Sequence, residues 1–481
     1  MGTRLNESEI SLNRTNLVAF SEKCLIVVAL VGDITVNAVY RGLLGTIAFM
    51  STASLLFGQN GIVFTGQGPV NRSMGGASTA APLDSLGAIY WNPATISALN
   101  SEMAFGIEVL WPHSTLSSSV PANVFGPGAP PSNLSGSTNS DAGVFPLPSI
   151  GLVYHDQNSR NTYGLGIMTI GGLGVNYPSD PSNPILQAPP PQGLGVGPVY
   201  SQLGVIQIAP TVSRQITDRL SIGVSPTVCL ASLSLDPNIV VPPDHPGNGP
   251  FVSYPRAGNG SYAAGGGVNA GVFYYLTDDW RLGASVKSTQ WISDFRYNGI
   301  NAQGQPIREK FAFDYPMIAS IGSSYTGMHR WLFASDFRYT DYANTDGFRD
   351  GSFGPDERVT GLGWRSTFGV ALGAQRLVGK GTAVRAGYTF NQSPLRDQTD
   401  PTSPLATINI ASPAFIMHTL YTGASWKIAD RLMLSCAYAH GFENSIGGIY
   451  RGPQVIVPGS TVSGSSSADT FLFGMTGYFG G

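Results

Sequence analysis

The stretch that decides the fold runs Trp331-Leu332-Phe333-Ala334-Ser335-Asp336-Phe337-Arg338-Tyr339. Its aromatic residues occupy alternate positions, and the charged pair Asp336 and Arg338 occupies positions between them. Successive side chains of a β-strand point to opposite faces, so one face of this strand is apolar and the other is charged. Such a strand suits a wall that has lipid on one side and a polar interior on the other.

The same alternation recurs along the chain and defines fourteen strand-like segments between positions 101 and 479. The short connections lie near positions 155–161, 217–218, 278–279, 327–329, 379–381 and 429–430. The long connections are 112–146, 174–200, 236–260, 298–306, 343–361, 392–413 and 444–467. Strict alternation of short turns and long loops, with an even strand count, is typical of membrane barrels. The sequence therefore predicts an all-β protein, a transmembrane antiparallel β-barrel of about 14 strands.

Composition supports this fold and excludes several functions. Charged residues make up 11% of the chain, whereas soluble domains average about 25%. No stretch after Gln59 holds the roughly 18 apolar residues that a membrane helix requires. A net charge of −3 without a basic cluster argues against nucleic acid as a partner. Neither catalytic motifs nor metal-ligand spacings occur, so we expect no enzyme activity, no cofactor and no metal.

The N-terminal region resembles an export signal. Arg41 precedes a mostly apolar run, Leu43–Phe57, with small residues near its end, which predicts cleavage close to Gln59. The first 40 residues fit this pattern poorly, and a start codon placed too far upstream would account for them. We therefore divide the chain into a signal segment at 1–58, a pre-barrel segment at 59–100 and the barrel at 101–481.

The pre-barrel segment is rich in Gly, Ala and Ser and is too long for a linker. Its notable residues are Gly75, Gly76, Asp84, Asn92, Pro93 and Ala94. Together with the fourteen strands, this pattern resembles the FadL family of outer-membrane channels for long-chain fatty acids, which includes uptake channels for aromatic hydrocarbons. The resemblance extends from Gln59 to Phe479. It implies that residues 59–100 form a hatch inside the barrel and that the six residues above form its motif.

Two roles are open for the Asn92-Pro93-Ala94 corner. Proline fixes the backbone and removes a donor, while asparagine can bond to neighbouring backbone, which indicates a rigid turn packed in the lumen. The resemblance adds a second role, in which the corner anchors a hatch that moves when ligand binds.

In the family the third strand is interrupted, which opens the wall towards the membrane. The third predicted strand, Thr162–Leu173, ends among Gly171, Gly172 and Gly174, and these glycines are candidates for such an opening. Glycine within a strand marks a bulge or bend. The alternative is that these glycines merely allow barrel curvature, as the Gly-rich stretch at 265–267 would.

Strand phase places several cations towards the lumen. Arg281, Lys287, Arg365 and Arg385 are candidates to meet a fatty-acid carboxylate, and an ordinary network of lumenal charges is the alternative. The loops at 174–200 and 236–260 are apolar and rich in proline. They would form either a collecting surface for hydrophobic molecules or rigid lids.

The sequence thus predicts a monomeric multi-pass barrel in the outer membrane of a Gram-negative-type bacterium. Its expected function is passive uptake of hydrophobic compounds, above all long-chain fatty acids, by capture in the barrel, hatch movement and lateral release. Expected partners are a fatty acid or aromatic hydrocarbon, outer-membrane lipid with lipopolysaccharide, and the barrel assembly machinery. The alternatives are a general diffusion porin and a structural or adhesive barrel that acts through its long loops.

Overall fold

The computed structural model describes residues 61–479 apart from positions 191, 194, 246–251, 257–259, 301–304, 396–402, 413 and 415, and only the backbone at 299–300. The predicted signal segment, 1–58, and positions 59–60 of the predicted hatch lie outside the described residues. No helix among the described residues is long and apolar enough to cross a membrane.

The described residues form eighteen strands, which are rich in the β-branched and aromatic residues that favour extended backbone. Their bounds are β1 Glu102–Val120, β2 Leu134–Asn139, β3 Phe145–His155, β4 Asn161–Tyr177, β5 Val199–Gln215, β6 Leu220–Asp236, β7 Ser261–Tyr275, β8 Trp280–Lys287, β9 Trp291–Ile292, β10 Phe295–Ile300, β11 Pro306–Phe311, β12 Met317–Tyr325, β13 Trp331–Asp341, β14 Thr367–Val378, β15 Thr382–Asn391, β16 His418–Ala429, β17 Leu432–Gly448 and β18 Thr461–Tyr478.

Fourteen of these strands form one closed antiparallel barrel. Each pairs with its neighbours in chain order, and β18 returns to pair with β1, from Glu102 opposite Tyr478 to Ser119 opposite Thr461. The remaining four strands belong to the long loops: β2 pairs with β1, β9 pairs with β7, and β10 and β11 form a separate hairpin. The predicted fold is confirmed, because the pairing of β18 with β1 closes the barrel.

The two faces of the wall are those that the alternation predicts. Asp336 and Arg338 are each 3% exposed, whereas Phe337 between them is 44% exposed. Likewise, Lys287 is buried and the adjacent Val286 is 51% exposed. Polar side chains therefore line the interior and apolar ones face the membrane.

Several predicted strand ends were wrong. β1 continues to Val120 and β4 to Tyr177, beyond the predicted ends near 112 and 173. The upper part of β1 is rich in serine and keeps its pairing with β18 and β2 where lipid no longer selects apolar residues. The loop predicted at 298–306 is longer in the structure, where it spans 288–316 between β8 and β12. The strands β10 and β11 form a hairpin within it.

Short helices lie mainly in the segment before the barrel. Helix α1 spans Gly68–Ser73, α2 spans Ser85–Trp91, and a 3-10 helix spans Pro93–Ala98. We call Gly61–Asn100 the N-terminal segment. Helix α1 contacts β16 and β17. The 3-10 helix contacts β5, β6 and β7, which are separated from β16 and β17 by several strands of the barrel in either direction. The segment therefore lies within the barrel. Helix α3, Leu405–Ile408, belongs to a long loop.

Candidate functional site

Gly75 and Gly76 form the turn that follows α1. Both have positive φ angles, +65° and +77°, which residues other than glycine rarely adopt. A Cβ at Gly76 would lie 1.7 Å from the carbonyl oxygen of Thr65, so no side chain fits there. The Gly75 carbonyl accepts from Thr389 Oγ1 at 2.8 Å, and the Gly76 carbonyl accepts from Arg338 Nη2 at 2.6 Å. The turn therefore attaches the N-terminal segment to the wall.

Asp84 caps the N-terminus of α2. Its carboxylate accepts from the Gly87 amide at 3.0 Å, and the side chain is buried. Burial raises the pKa of Asp84 to about 6, while the bond from Gly87 and the charge of Arg385 act in the opposite direction. The next residue, Ser85, donates its amide to Glu102 on β1 at 2.6 Å. Two carboxylates thus hold the start of α2.

Asn92 joins α2 to the 3-10 helix and is fully buried. Its Oδ1 accepts from the Ala94 amide at 3.1 Å, and its Nδ2 donates to the carbonyls of Thr79 at 2.8 Å and Val272 at 3.0 Å. Pro93 is the first residue of the 3-10 helix, where a backbone donor is not needed. The side chain of Asn92 therefore holds the corner together and bonds it to β7.

One buried ion pair joins the N-terminal segment to the wall, and a second lies on β13 and bonds to the segment. Arg72 Nη2 lies 2.6 Å from Glu108 Oε1, and Arg338 Nη2 lies 2.7 Å from Asp336 Oδ2. Asp336 Oδ2 also accepts from the amides of Ser78 and Thr79, at 2.9 and 3.0 Å. The Arg338 guanidinium lies 3.4 Å from the ring centroid of Trp91, close enough for a cation–π contact.

Several hydrogen bonds between the N-terminal segment, the wall and the loop before β12 converge on β4. The Ile170 carbonyl accepts from the Phe64 amide at 3.2 Å, from the Tyr90 hydroxyl at 3.3 Å and from the Tyr315 hydroxyl at 3.2 Å. Burial raises the pKa of Tyr90 to about 12, so its hydroxyl stays protonated and donates. We call these contacts the β4 junction.

The glycines of the β4 junction permit close backbone approach. Gly171 faces Val63 in an antiparallel bridge, and a Cβ on Gly171 would lie 2.8 Å from the Ile62 carbonyl oxygen. The register of β4 against β5 shifts between Thr169 and Gly171, which is a bulge. Pairing of β4 with β3 ends at Met168. Gly172 and Gly174 lie beyond this point and approach the carbonyls of β5.

The four predicted cations occupy different surroundings. Lys287 is 3% exposed, its ammonium lies 4.0 Å from the Tyr90 ring centroid, and it has no hydrogen-bond partner among the described residues. Arg385 is buried and donates to Gln375 and Ser425, each at 2.7 Å. Arg281 lies beside a tyrosine ring near the turn before β8.

Arg365 is not on a strand, contrary to its predicted strand phase. It lies in the loop that ends before β14, where its Nε donates to the Ser393 carbonyl at 2.9 Å. The alternation of apolar and polar residues that marks β14 continues by chance into the loop before it. The predicted strand therefore began too early in the chain.

An apolar pocket, here the outer pocket, lies between the long loops. It encloses about 750 Å³, part of it open to solvent. Both proline-rich loops that the sequence singled out contribute to it, together with the loops before β14, β16 and β18. Representative lining residues are Val196, Pro237, Val252, Tyr254, Phe353 and Tyr450. Arg451 is the one charged residue among its described lining.

A second apolar pocket, the inner pocket, lies next to the first, and the space between its lining residues is about 490 Å³, part of it open to solvent. The two pockets share Leu235, Ile239, Val359 and Ala411. The inner pocket continues to Leu173 on β4, beside the glycines described above. No charged residue lines it among the described residues. An apolar path therefore leads from the loops to β4.

Aromatic rings connect the inner pocket with the N-terminal segment. Phe313 lines this pocket, and its ring centroid lies 4.8 Å from that of Phe348. Phe348 in turn lies 4.8 Å from Tyr342, whose hydroxyl accepts from the Ile62 amide at 3.0 Å. These contacts connect the inner pocket with the first described residues of the N-terminal segment.

Sequence reasoning missed Arg72, Tyr90 and Tyr315. A signal existed for Arg72, because it is the only Lys or Arg between positions 61 and 100 and a buried arginine needs an acid. The tyrosines gave no signal, since their shared acceptor, Ile170, is separated from them by 80 and 145 positions.

Comparisons with known proteins agree with this architecture. The family model "Outer membrane protein transport protein (OMPP1/FadL/TodX)" matches residues 60–479. The Pseudomonas putida toluene transporter TodX has 16% identity and a TM-score of 0.61, with 87% of this chain and 99% of that chain covered. The Ralstonia pickettii toluene transporter TbuX has 18% identity and a TM-score of 0.60, with coverages of 86% and 99%.

A FadL homologue from Pseudomonas aeruginosa has 15% identity and a TM-score of 0.62, with 87% of this chain and 100% of that chain covered. At these identities the structural likeness establishes the fold alone. A search of curated protein sequences gave no significant match. The family model covers most of the chain, and the chain therefore belongs to the FadL/TodX family of outer-membrane transport proteins.

Proposed function

We propose that this chain takes up hydrophobic compounds across the outer membrane without energy input. The observation that carries the proposal is the apolar path from the outer pocket through the inner pocket to Leu173 on β4. Because the path lies inside one barrel, a single copy of the chain suffices.

Capture at the outer pocket requires only burial of apolar surface. A toluene-sized ring buries an area similar to that of a phenylalanine side chain, about 150 Å². At about 25 cal/mol per Å², this burial stabilises the complex by roughly 4 kcal/mol. Binding of that strength holds a ligand briefly and still lets it move to the inner pocket, which shares Ala411 and Val359 with the outer one.

Release depends on the β4 junction. We infer that the N-terminal segment acts as a hatch, and that loosening its bonds to Ile170 opens a passage beside Gly171, Gly172 and Gly174. The end of β3–β4 pairing at Met168 supports this, because no β3 partner holds the following part of β4. The ligand would then leave sideways into the bilayer. Asn92, bonded to β7, would keep the other end of the hatch in place.

The pocket linings favour a neutral ligand, in agreement with the toluene transporters among the similar structures. The described lining of the inner pocket offers no cation for a carboxylate. The alternative ligand, a long-chain fatty acid, would need one, and Arg451 at the outer pocket and the unpaired ammonium of Lys287 are the candidates.

The contents of the barrel argue against a general porin. Tyr90, Trp91 and Asn92 of the N-terminal segment are at most 2% exposed, whereas a porin needs a water-filled lumen. An adhesive barrel would not need an apolar path that leads inwards from its loops.

The proposal can be tested by filling the path. Ala411→Trp places a large side chain where the two pockets meet, and uptake of labelled toluene into cells should fall at least tenfold. Ala386→Trp, on the membrane face of β15, is the matched control and should leave uptake unchanged. Both variants should show the heat-dependent gel mobility of a folded barrel. Normal uptake by folded Ala411→Trp would contradict the proposal.

A further inference from the structure

The hairpin formed by β10 and β11 carries a basic face that the transport function does not use. The two strands pair antiparallel, with Arg296 opposite Lys310 and Asn298 opposite Arg308. All four side chains are exposed and point to the same side of the hairpin. We call the three cations Arg296, Arg308 and Lys310 the basic face.

The opposite side of the hairpin is apolar and packs on the protein. Phe295 and Tyr297 are 0% and 4% exposed. The Tyr297 hydroxyl donates to the Leu233 carbonyl at 3.1 Å, and the Phe295 ring packs edge to face with Phe313 at 6.2 Å between centroids. The hairpin is thus held in one orientation, with its basic face turned outwards.

The protein itself does little to neutralise this face. Lys310 lies 3.7 Å from Asp294, and no ion pair forms at Arg296 or Arg308 among the described residues. Glu309 is directed away from the basic face, where it binds Arg358 at 2.9 Å. Like charges directly opposite each other on paired strands are destabilising. An external anion would remove this repulsion.

The basic face lies at the outer edge of the membrane. The Arg296 amide donates to Ser261 Oγ at 2.8 Å, which places it level with the upper end of β7. Next to it, Tyr262 and Trp291 are 83% and 62% exposed on the membrane side. Tyr262 precedes Tyr274 by twelve residues of a tilted strand, or about 30 Å along the membrane normal. That spacing fits aromatic residues at the two interfaces.

We propose that the basic face binds the phosphate groups of lipopolysaccharide in the outer leaflet. Its lipid A carries anionic phosphates at the depth where Arg296, Arg308 and Lys310 lie, just outside the aromatic residues. Arginine and lysine suit phosphate oxygens, and arginine binds them with two parallel hydrogen bonds. Tyr262 and Trp291 would lie against the acyl chains and sugar rings below. This site is independent of the proposed transport path.

Binding can be measured by native mass spectrometry of the barrel in phosphatidylcholine nanodiscs with added bisphosphorylated lipid A. The test variant combines Arg296→Gln, Arg308→Gln and Lys310→Gln. The matched control combines Arg219→Gln, Arg330→Gln and Lys380→Gln, which removes three exposed cations from the turns at the opposite end. Each cation near an anionic surface contributes about a factor of five, so the test variant should bind roughly a hundredfold more weakly.

The control variant should bind lipid A like the wild type, and removal of the two lipid A phosphates should abolish the difference between wild type and test variant. Equal binding by wild type and test variant would overturn the proposal. Equal loss in the control would also overturn it, since binding would then follow net charge. Displacement of lipid A by dextran sulfate at equal charge concentration would overturn the assignment to lipid.

Discussion

The hydroxyl of Tyr90 lies 3.3 Å from the carbonyl oxygen of Ile170, and this bond joins the N-terminal segment to β4. The same carbonyl is bonded by Phe64 and Tyr315. Ile170 is the extra residue of the bulge between Thr169 and Gly171, and Gly171 pairs with Val63 of the N-terminal segment. The β4 junction is thus the place where the N-terminal segment, the β4 end of the inner pocket and a break in strand pairing meet.

Tyr90→Phe should loosen the β4 junction. The variant keeps the ring beside Lys287 and loses the one hydroxyl proton that the Phe64 carbonyl, at 2.9 Å, and the Ile170 carbonyl, at 3.3 Å, share. A net loss of about 1 kcal/mol favours the open state about fivefold. The initial rate of toluene uptake should rise accordingly, with Tyr163→Phe on the membrane face as control. A rate equal to that of the wild type would mean that this bond does not restrain opening.

Asn92→Ala should release the corner from β7. The variant loses the bonds to Ala94, Thr79 and Val272 and removes the side-chain donor from the Thr79 carbonyl. Docking of the N-terminal segment should weaken by about 2–4 kcal/mol, measured as faster amide exchange at 85–99. When Pro93→Ala is added, uptake should fall while the barrel stays folded. Asn158→Ala, in an exposed turn, is the control, and normal uptake by the folded double variant would rule out an anchoring role.

Gly76→Ala should be far more destabilising than Gly379→Ala. Both glycines have positive φ, +77° and +64°, so both substitutions cost about 1 kcal/mol in backbone strain. A Cβ at Gly76 would collide with the Thr65 carbonyl, whereas a Cβ at Gly379 meets nothing within 4 Å. Thermal unfolding should therefore shift strongly only for Gly76→Ala. Equal shifts would show that the turn after α1 relaxes freely.

Asp84→Asn should stabilise the protein at neutral pH. The pKa of Asp84 is about 6 in the folded state against an ordinary 3.8, so between these values the folded protein binds more protons than the unfolded chain. Stability therefore falls as the pH rises from about 4 to 6. Asparagine can still accept from Gly87 and has no charge. The gain at pH 7 should reach up to about 3 kcal/mol and vanish below pH 4.

Unfolding curves at several pH values provide the measurement for Asp84→Asn. The control is Asp278→Asn, which removes an exposed carboxylate in a turn. It should leave the pH dependence of the unfolding free energy unaltered. A gain for Asp84→Asn that is the same at pH 4 and pH 7 would show that the effect is not due to ionisation.

Much of the wall was predictable from the sequence, because each strand records its surroundings locally. Phe337 faces lipid and Asp336 and Arg338 face inwards, so three consecutive residues reveal both sides of the barrel. The strand ends outside the membrane were not predictable. There β1 continues to Val120 through serine-rich pairing with β18 and β2. Lipid does not contact this part of the strand, so its sequence lacks the apolar alternation that would have revealed where the strand ends.

The candidate site was only partly predictable. Gly75, Gly76, Asp84 and Asn92 are recognisable because their local turns and caps need those residue types. The pockets are assembled from loops far apart in the chain, as Val196 and Tyr450 show. Similarly, the hydrogen bonds to Ile170 come from residues at positions 64, 90 and 315, a convergence that no local pattern encodes.

The most direct test of the account is amide hydrogen exchange at Phe64 and Gly172 in nanodiscs, with and without toluene. In the free protein the Phe64 amide donates to Ile170 and the Gly172 amide donates to Ile62, so both should exchange slowly. If ligand in the inner pocket loosens the β4 junction, saturating toluene should speed exchange at both amides and leave the Gly387 amide, on β15, unchanged. Unchanged or slower exchange at Phe64 and Gly172 with ligand bound would contradict the account.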